Sequence, residues 1–243
     1  MLSHAPGKKN GKVEGKVGLK AGITVAQMRE LLQDLYEKLW QAFGPQGWWP
    51  GETPFEVALG AILTQNTNWR NVARVIGDLK DDGSLDPRIL REMPQGELAR
   101  RLRPVGYYNI KANRVKNFLA FFADRHQDSM FSMAQKDLEV LRAELLAIKG
   151  IGPETADSIL LYGLDKPTFV VDAYTFRILS RHDVVMETLS YEELRQVFMD
   201  HLPAEVALYQ EYHALLVRLG KEFCRPRPRC DECPLLKWPS PGI

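Results

Sequence analysis

The chain has 243 residues, 45% hydrophobic and 26% charged, enough for one large globular unit or two modest ones. A formal net charge of +1 excludes nucleic-acid binding by bulk charge, so any such role must rest on local patches. No run of about 18 apolar residues occurs and residues 1–20 lack the apolar core of a signal peptide, so neither a membrane span nor secretion is expected and the location is read as cytoplasmic.

Residues 5–22 are rich in Gly and Lys, and residues 1–22 read as a disordered basic tail, either a solvated terminus or a weak, non-specific DNA contact. Thr24-Val25-Ala26-Gln27 is a capping box. Behind it Met28, Leu31, Leu32, Leu35 and Leu39 recur on one helical face. Thr53-Pro54-Phe55-Glu56 reads as a second box, with proline at the first helical position, and its helix runs through Val57, Leu59 and Leu63 toward Gln65. Leu138, Leu141, Leu145 and Ile148 mark another helix, and Ser190-Tyr191-Glu192-Glu193 starts a further one. Strand-like alternation is scarce, with Thr168 to Val171 the one short β-branched cluster. The fold class is therefore all-α.

The most informative stretch is Ile148-Lys149-Gly150-Ile151-Gly152-Pro153-Glu154-Thr155-Ala156-Asp157, followed by Val170-Val171-Asp172-Ala173-Tyr174. The glycines permit a tight hairpin, and backbone N–H groups at the next helix start can face an anion. Asp172 follows an apolar run and precedes a helix, so it reads as a helix cap, as a carboxylate at the mouth of a site, or as both.

These residues resemble the helix-hairpin-helix, Gly-Pro-Asp superfamily of DNA glycosylases, which includes endonuclease III, over roughly residues 53–233. The resemblance implies two helical domains with a DNA-binding cleft between them. One is a six-helix barrel over 53–166 ending in the helix-hairpin-helix; the other combines 23–52 with 167–243. It implies that Gly150, Ile151 and Gly152 hold the DNA backbone, and that Asp172 stabilises the positive charge growing on the sugar as the base-sugar bond breaks. The endonuclease III branch carries a catalytic lysine where this chain has Glu154. A carboxylate cannot form a Schiff base, so strand cleavage through that position is not expected. Glu154 otherwise reads as a favourable acidic residue in a first helical turn or as a residue of the substrate pocket.

Trp48-Trp49-Pro50, and Trp69 just after Gln65-Asn66-Thr67, are either core packing or a stacking pocket for a flipped base. Together with Glu154 they resemble the 3-methyladenine glycosylase branch, whose cationic substrates suit an aromatic cage. Lys221 matches a pocket lysine of that branch and lies near Arg218, Arg225, Arg227 and Arg229, a candidate phosphate surface or simply solvated charge. Gln65 and Tyr107 match family positions that enter the duplex, and Gly106-Tyr107-Tyr108-Asn109-Ile110-Lys111 looks like the family's wedge loop; a half-buried core tyrosine is the alternative for Tyr107.

All three cysteines, Cys224, Cys230 and Cys233, fall within ten residues, which argues for metal rather than a disulfide. The family holds a [4Fe–4S] cluster near this point with four cysteines, but the fourth would fall near Pro239. The site thus reads as an incompletely ligated cluster, a metal-free remnant, or a zinc site with His213 as the nearest histidine before it. The expected activity is a monofunctional DNA N-glycosylase of base excision repair acting on alkylated purines in damaged double-stranded DNA, as a monomer without membrane contact. The alternatives are a bifunctional glycosylase and abasic-site lyase on oxidised pyrimidines, with Lys149 or Lys221 as the amine, and a non-catalytic binder of damaged DNA.

Overall fold

The computed structural model describes residues 23–239, so the basic tail read over 1–22 lies outside the described residues. Twelve α-helices make up the fold among these residues. Helix α1 (Val25–Phe43) starts at Thr24 with both halves of its capping box formed, and buries Met28, Leu31, Leu32, Leu35 and Leu39. Helix α2 (Pro54–Thr64) is capped by Thr53, but its box is only half made. The Glu56 carboxylate accepts from the Glu52 backbone N–H and pairs with Lys80 instead of returning to the cap. Helices α3 (Trp69–Asp81), α4 (Pro87–Glu92), α5 (Gln95–Arg101), α6 (Tyr108–His126), α7 (Met130–Ala134) and α8 (Leu138–Leu146) follow. Then come α9 (Pro153–Ser158), which widens into a π-type turn over Ile159–Gly163, α10 (Ala173–Arg181), α11 (Tyr191–His201) and α12 (Val206–Glu222). Residues 168–171 form no strand. No helix among the described residues is long and apolar enough to cross a membrane.

Apolar side chains gather into two cores. The first is built from α2 through α9 and includes Leu59, Ile62, Phe118, Phe122, Leu145 and Ile151. The second joins α1 to α10, α11 and α12 through Leu35, Phe169, Ile178, Phe198 and Tyr212, with the Phe169 and Phe198 rings stacked 3.8 Å apart. Trp49 packs against both, and the seam between the cores runs beside it.

A buried polar cluster also crosses the seam. Asp157 on α9 has no solvent exposure. Its carboxylate accepts from Arg142 Nε (2.8 Å) and Nη2 (3.0 Å), Thr168 Oγ1 (2.9 Å) and the Tyr191 hydroxyl (2.8 Å). Arg195 donates to Thr168 Oγ1, and Glu192 accepts from Arg142. Burial works against the Arg142 charge, but Asp157 and Glu192 more than offset it and hold the guanidinium ionised. Removing one member of such a cluster strands a buried charge. Asp157→Ala is therefore expected to lower stability by about 3–5 kcal/mol in urea or thermal unfolding; a loss below about 1 kcal/mol would mean that the cluster is not what joins the two cores.

Candidate active site

The hairpin links α8 to α9. Gly150 adopts φ +100°, and a Cβ there would lie 2.5 Å from Arg114 Cγ, so this position needs glycine for conformation and for space. Gly152 differs: it sits at φ −97°, and a Cβ would meet nothing within 4 Å. Gly152 supplies no side-chain cap for α9, and Pro153 supplies no N–H. Ile151 is buried in the first core and anchors the turn. Gln65, just past α2, donates from Nε2 to Thr155 Oγ1 at 2.8 Å and to the Gly150 carbonyl at 3.4 Å, and its Oε1 accepts from Arg114. Gln65 is thus tied to the hairpin.

Tyr107 caps α6 in the left-handed region at φ 45° and is 69% exposed, so it is not a core residue. The turn beneath it is held by Lys111, whose buried ammonium donates to the Val105 carbonyl at 2.6 Å. Burial, with the Arg114 charge beside it, pulls the Lys111 amine down to about 8.

Asp172 is the N-cap of α10, where its Oδ1 accepts from the Thr175 N–H (2.8 Å) and hydroxyl (2.9 Å). It is also a wall of a cavity of about 320 Å³, in the usual range for ligand sites. Both sequence readings of this residue describe its position. Around the cavity stand Trp48, Trp49 and Trp69, together with Glu154, Thr155 and Lys221. The three tryptophans form a compact set, with Trp49 to Trp69 at 5.2 Å and Trp48 to Trp69 at 6.2 Å between ring centroids. The Lys221 ammonium lies 5.2 Å from the Trp48 ring centre, in cation–π range. Glu154 faces the cleft from the first turn of α9.

The two carboxyls differ in their surroundings. Desolvation by the cavity walls pushes Glu154 above the usual carboxylate range, and the Asp172 charge adds to this. Burial pushes Asp172 up as well, but His213 and the two Thr175 donors outweigh it and hold the carboxyl below its usual value. Tyr162 was not among the residues singled out from sequence, and His213 was named there only as a zinc donor. His213 Nε2 lies 3.7 Å from Asp172 Oδ2, and its Nδ1 lies 2.6 Å from the Tyr162 hydroxyl. One signal was available: His213, Val217 and Lys221 repeat every four residues on α12 and all line the cavity.

His213 therefore belongs to the Asp172 cavity and not to the cysteine loop, which removes it as a zinc ligand there. Cys224 is buried, Cys230 exposed and Cys233 between. The position of a fourth thiolate is taken by Pro239, which has no donor atom. Among the described residues no group of three His, Cys, Asp or Glu is arranged to hold a metal ion. This donor set does not fit a four-thiolate cluster. The loop is fastened by α10: Arg177 donates to the Cys224 carbonyl, Arg181 to the carbonyls of Arg225 and Pro226, and His182 Nδ1 meets the Trp238 carbonyl at 2.7 Å. Of the basic run, Arg218 bonds to the Phe43 carbonyl and Glu222, Arg225 to the Lys221 carbonyl, and Arg229 to Glu232. Lys149 lies on a separate groove with Asn117, Arg125 and Glu144.

Comparison with known proteins places this geometry in context. The chain matches the family described as HhH-GPD superfamily base excision DNA repair protein over residues 59–204. It is 45% identical over 210 residues to a Methanocaldococcus jannaschii protein provisionally described as a DNA repair glycosylase, spanning 86% of this chain and 96% of that one. Among solved structures, an H. pylori 3-methyladenine DNA glycosylase bound to 1,N6-ethenoadenine superposes with a TM-score of 0.69 at 29% identity, covering 80% of this chain and 97% of the other. An endonuclease III in a non-covalent complex with DNA gives 0.73 at 22% identity, over 88% and 94%, a likeness of fold.

The two hairpin glycines should respond differently to alanine. Gly150→Ala is expected to cost on the order of 1–3 kcal/mol in unfolding, because its φ and the Arg114 side chain both oppose a Cβ. Gly152→Ala should unfold within about 0.5 kcal/mol of the unaltered chain. Equal losses from the two variants would contradict the geometry.

Proposed function

Since the chain belongs to the HhH-GPD superfamily of base excision DNA repair proteins, a family that binds damaged double-stranded DNA, we propose that it hydrolyses the N-glycosidic bond of alkylated, 3-methyladenine-like purines. The observation that carries this reading is the cavity itself, which joins tryptophan rings to two carboxyls, Glu154 and Asp172. An N-alkylated purine is cationic. A π-face attracts it by about 0.5–2 kcal/mol, more when water is excluded. Such a base is also a good leaving group, so one ionised carboxylate suffices to stabilise the sugar cation.

In this reading the hairpin grips the DNA backbone. Gly152 is the position where neither φ nor space within the chain demands glycine. Close approach of a phosphate to the start of α9 supplies the missing reason. The exposed Tyr107 fills the gap left by the flipped base, with Gln65 beside the hairpin.

The lyase reading has one observation in its favour: Lys221 lines the same cavity as Asp172, whereas Lys149 does not. An amine at Lys221 would attack C1′ and leave a Schiff base. Incubation with duplexes each carrying one lesion separates the two readings. Strand breaks are expected only after alkali, with no adduct trapped by borohydride. Breaks without alkali, or a trapped adduct lost in Lys221→Met, would establish the lyase.

Asp172→Asn is expected to lower single-turnover excision roughly 100- to 1,000-fold while duplex binding persists. Near-normal excision by that variant would remove Asp172 from the chemistry. No excision by the unaltered chain on any lesion, with tight binding retained, would favour a non-catalytic binder.

A further inference from the structure

We propose that Arg114 on α6 is a DNA-binding residue: its guanidinium takes a backbone phosphate of the lesion strand, between the hairpin and Asp172, while it holds Gln65. The inference rests on the reading above, in which the hairpin and Asp172 meet one strand.

Arg114 lies across the hairpin. A Cβ on Gly150 would lie 2.5 Å from its Cγ and 3.2 Å from its Nε, so the side chain runs against the bare backbone of that glycine. Beside it opens a groove of about 810 Å³ whose lining includes Gln65, Arg114, Gly150, Gly152, Glu154 and Asp172. The groove joins the hairpin to the carboxylate that faces the sugar in the proposed reading. A strand gripped at one end and presented at the other carries its phosphodiester through this groove. Glu154 and Asp172 oppose that anion, so a cation on its path is needed. Among the described residues Arg114 is the one cationic side chain in the lining, and Lys221 lines the tryptophan cavity instead.

The guanidinium is only half used. Its Nη1 donates to Gln65 Oε1. Nε and Nη2 have no partner among the described residues, and neither atom is shut off from solvent. These two groups make the side-on fork that matches two oxygens of a phosphate. Arg91, Arg101, Arg142 and Arg195 each pair with a carboxylate. Arg114 pairs with none among the described residues. Its charged neighbour is another cation, the buried Lys111 ammonium one turn back on α6. Two positive groups one turn apart, with no anion between them, gain from one that arrives.

Gln65 fixes which edge stays open. Its Nε2 donates to Thr155 Oγ1 at 2.8 Å and to the Gly150 carbonyl at 3.4 Å, which leaves its carboxamide oxygen for Arg114. The amide holds Nη1, and the Nε–Nη2 edge remains for the ligand. One side chain thereby couples the hairpin, Gln65 and the strand.

The test is the salt dependence of binding to a duplex with an uncleavable abasic analogue, with excision scored on the same preparations. Arg114→Gln is expected to bind roughly 10-fold more weakly at low salt. It should also lower the slope of log K against log salt by about 0.9, the share of one phosphate contact. Arg114→Lys keeps the charge without the fork, so it should keep the slope and lose less affinity. Gln65→Ala removes the tie and leaves the guanidinium, so its slope should match that of the unaltered chain. An arginine that only supports Gln65 would behave otherwise: Arg114→Gln and Gln65→Ala would weaken binding alike, with both slopes intact. A second measurement replaces single phosphates of the lesion strand by neutral methylphosphonates. One linkage beside the lesion should cost the unaltered chain roughly 10-fold and cost Arg114→Gln nothing. If Arg114→Gln does not fold, Arg114→Met, which keeps the stem against Gly150, takes its place. An unchanged slope, or no sensitive linkage beside the lesion for the unaltered chain, overturns the proposal. A loss that varies with the base opposite the lesion also overturns it and assigns Arg114 to base readout. Excision of alkylated purines by the unaltered chain with any of these results leaves the excision reading standing. Tight binding without excision of any lesion defeats that reading, and the salt slopes still decide on Arg114.

Discussion

The rest of the structure depends on the buried Asp157 carboxylate. It sits on the helix that begins at the hairpin, and its bonds reach Arg142 on α8, Thr168 in the extended segment and Tyr191 on α11. Tyr191 in turn accepts from the Val171 N–H, one residue before Asp172. Hairpin and Asp172 are thereby fixed to a common centre, although they lie on different cores. If the hairpin holds phosphate and Asp172 reacts, as proposed, both must sit in one frame, since a displacement of about 1 Å can cost 100-fold in rate. An apolar seam of the same area would hold the two cores together but would not set their register as narrowly as directional bonds to a fully desolvated charge.

The same economy of placement shows in α10. Its first residue is preceded by Asp172, its first turn presses Tyr174 onto Gly220 of α12, and Arg177 and Arg181 further along clamp the cysteine loop. A Cβ at Gly220 would come within 2.3 Å of the Tyr174 ring, so the two helices can approach this closely only at a glycine. That approach brings the α12 stripe of His213, Val217 and Lys221 into the cavity wall. The loop carrying Cys224, Cys230 and Cys233 is joined to the site through α10, and its attachments are guanidinium-to-carbonyl bonds rather than a four-thiolate cluster.

What could be read from sequence was what is encoded locally. The capping boxes at Thr24 and Ser190 form in full, and the apolar spacing of α1 buries the residues it marked. The box at Thr53 is half made because Glu56 finds a distant partner in Lys80, and no local pattern carries that information. Asp172 is legible because its cap role and its place after an apolar run are both short-range features. Tyr162, His213 and Asp157 are not. The Tyr162–His213 contact spans 51 positions and the Arg142–Asp157 contact 15, and the π-type turn that carries Tyr162 has no sequence signature. Gly150 and Gly152 read alike in a Gly-x-Gly pattern; only the backbone angles and the position of Arg114 separate a glycine the fold requires from one it does not.

Two carboxyls with opposed environments in one cavity also constrain which lesions suit it. The donors to Asp172 hold its carboxyl below its usual value, while desolvation and the Asp172 charge raise that of Glu154. Two like charges in one cavity oppose each other, and a bound cation would relieve that repulsion. On the proposed reading a cationic base would gain from the pair in addition to the tryptophan rings. A neutral oxidised pyrimidine would stack on the rings but gain nothing from the carboxyl pair, and it needs a proton donor as it leaves. On the proposed reading, Glu154 beside Asp172 would favour a substrate that arrives already charged.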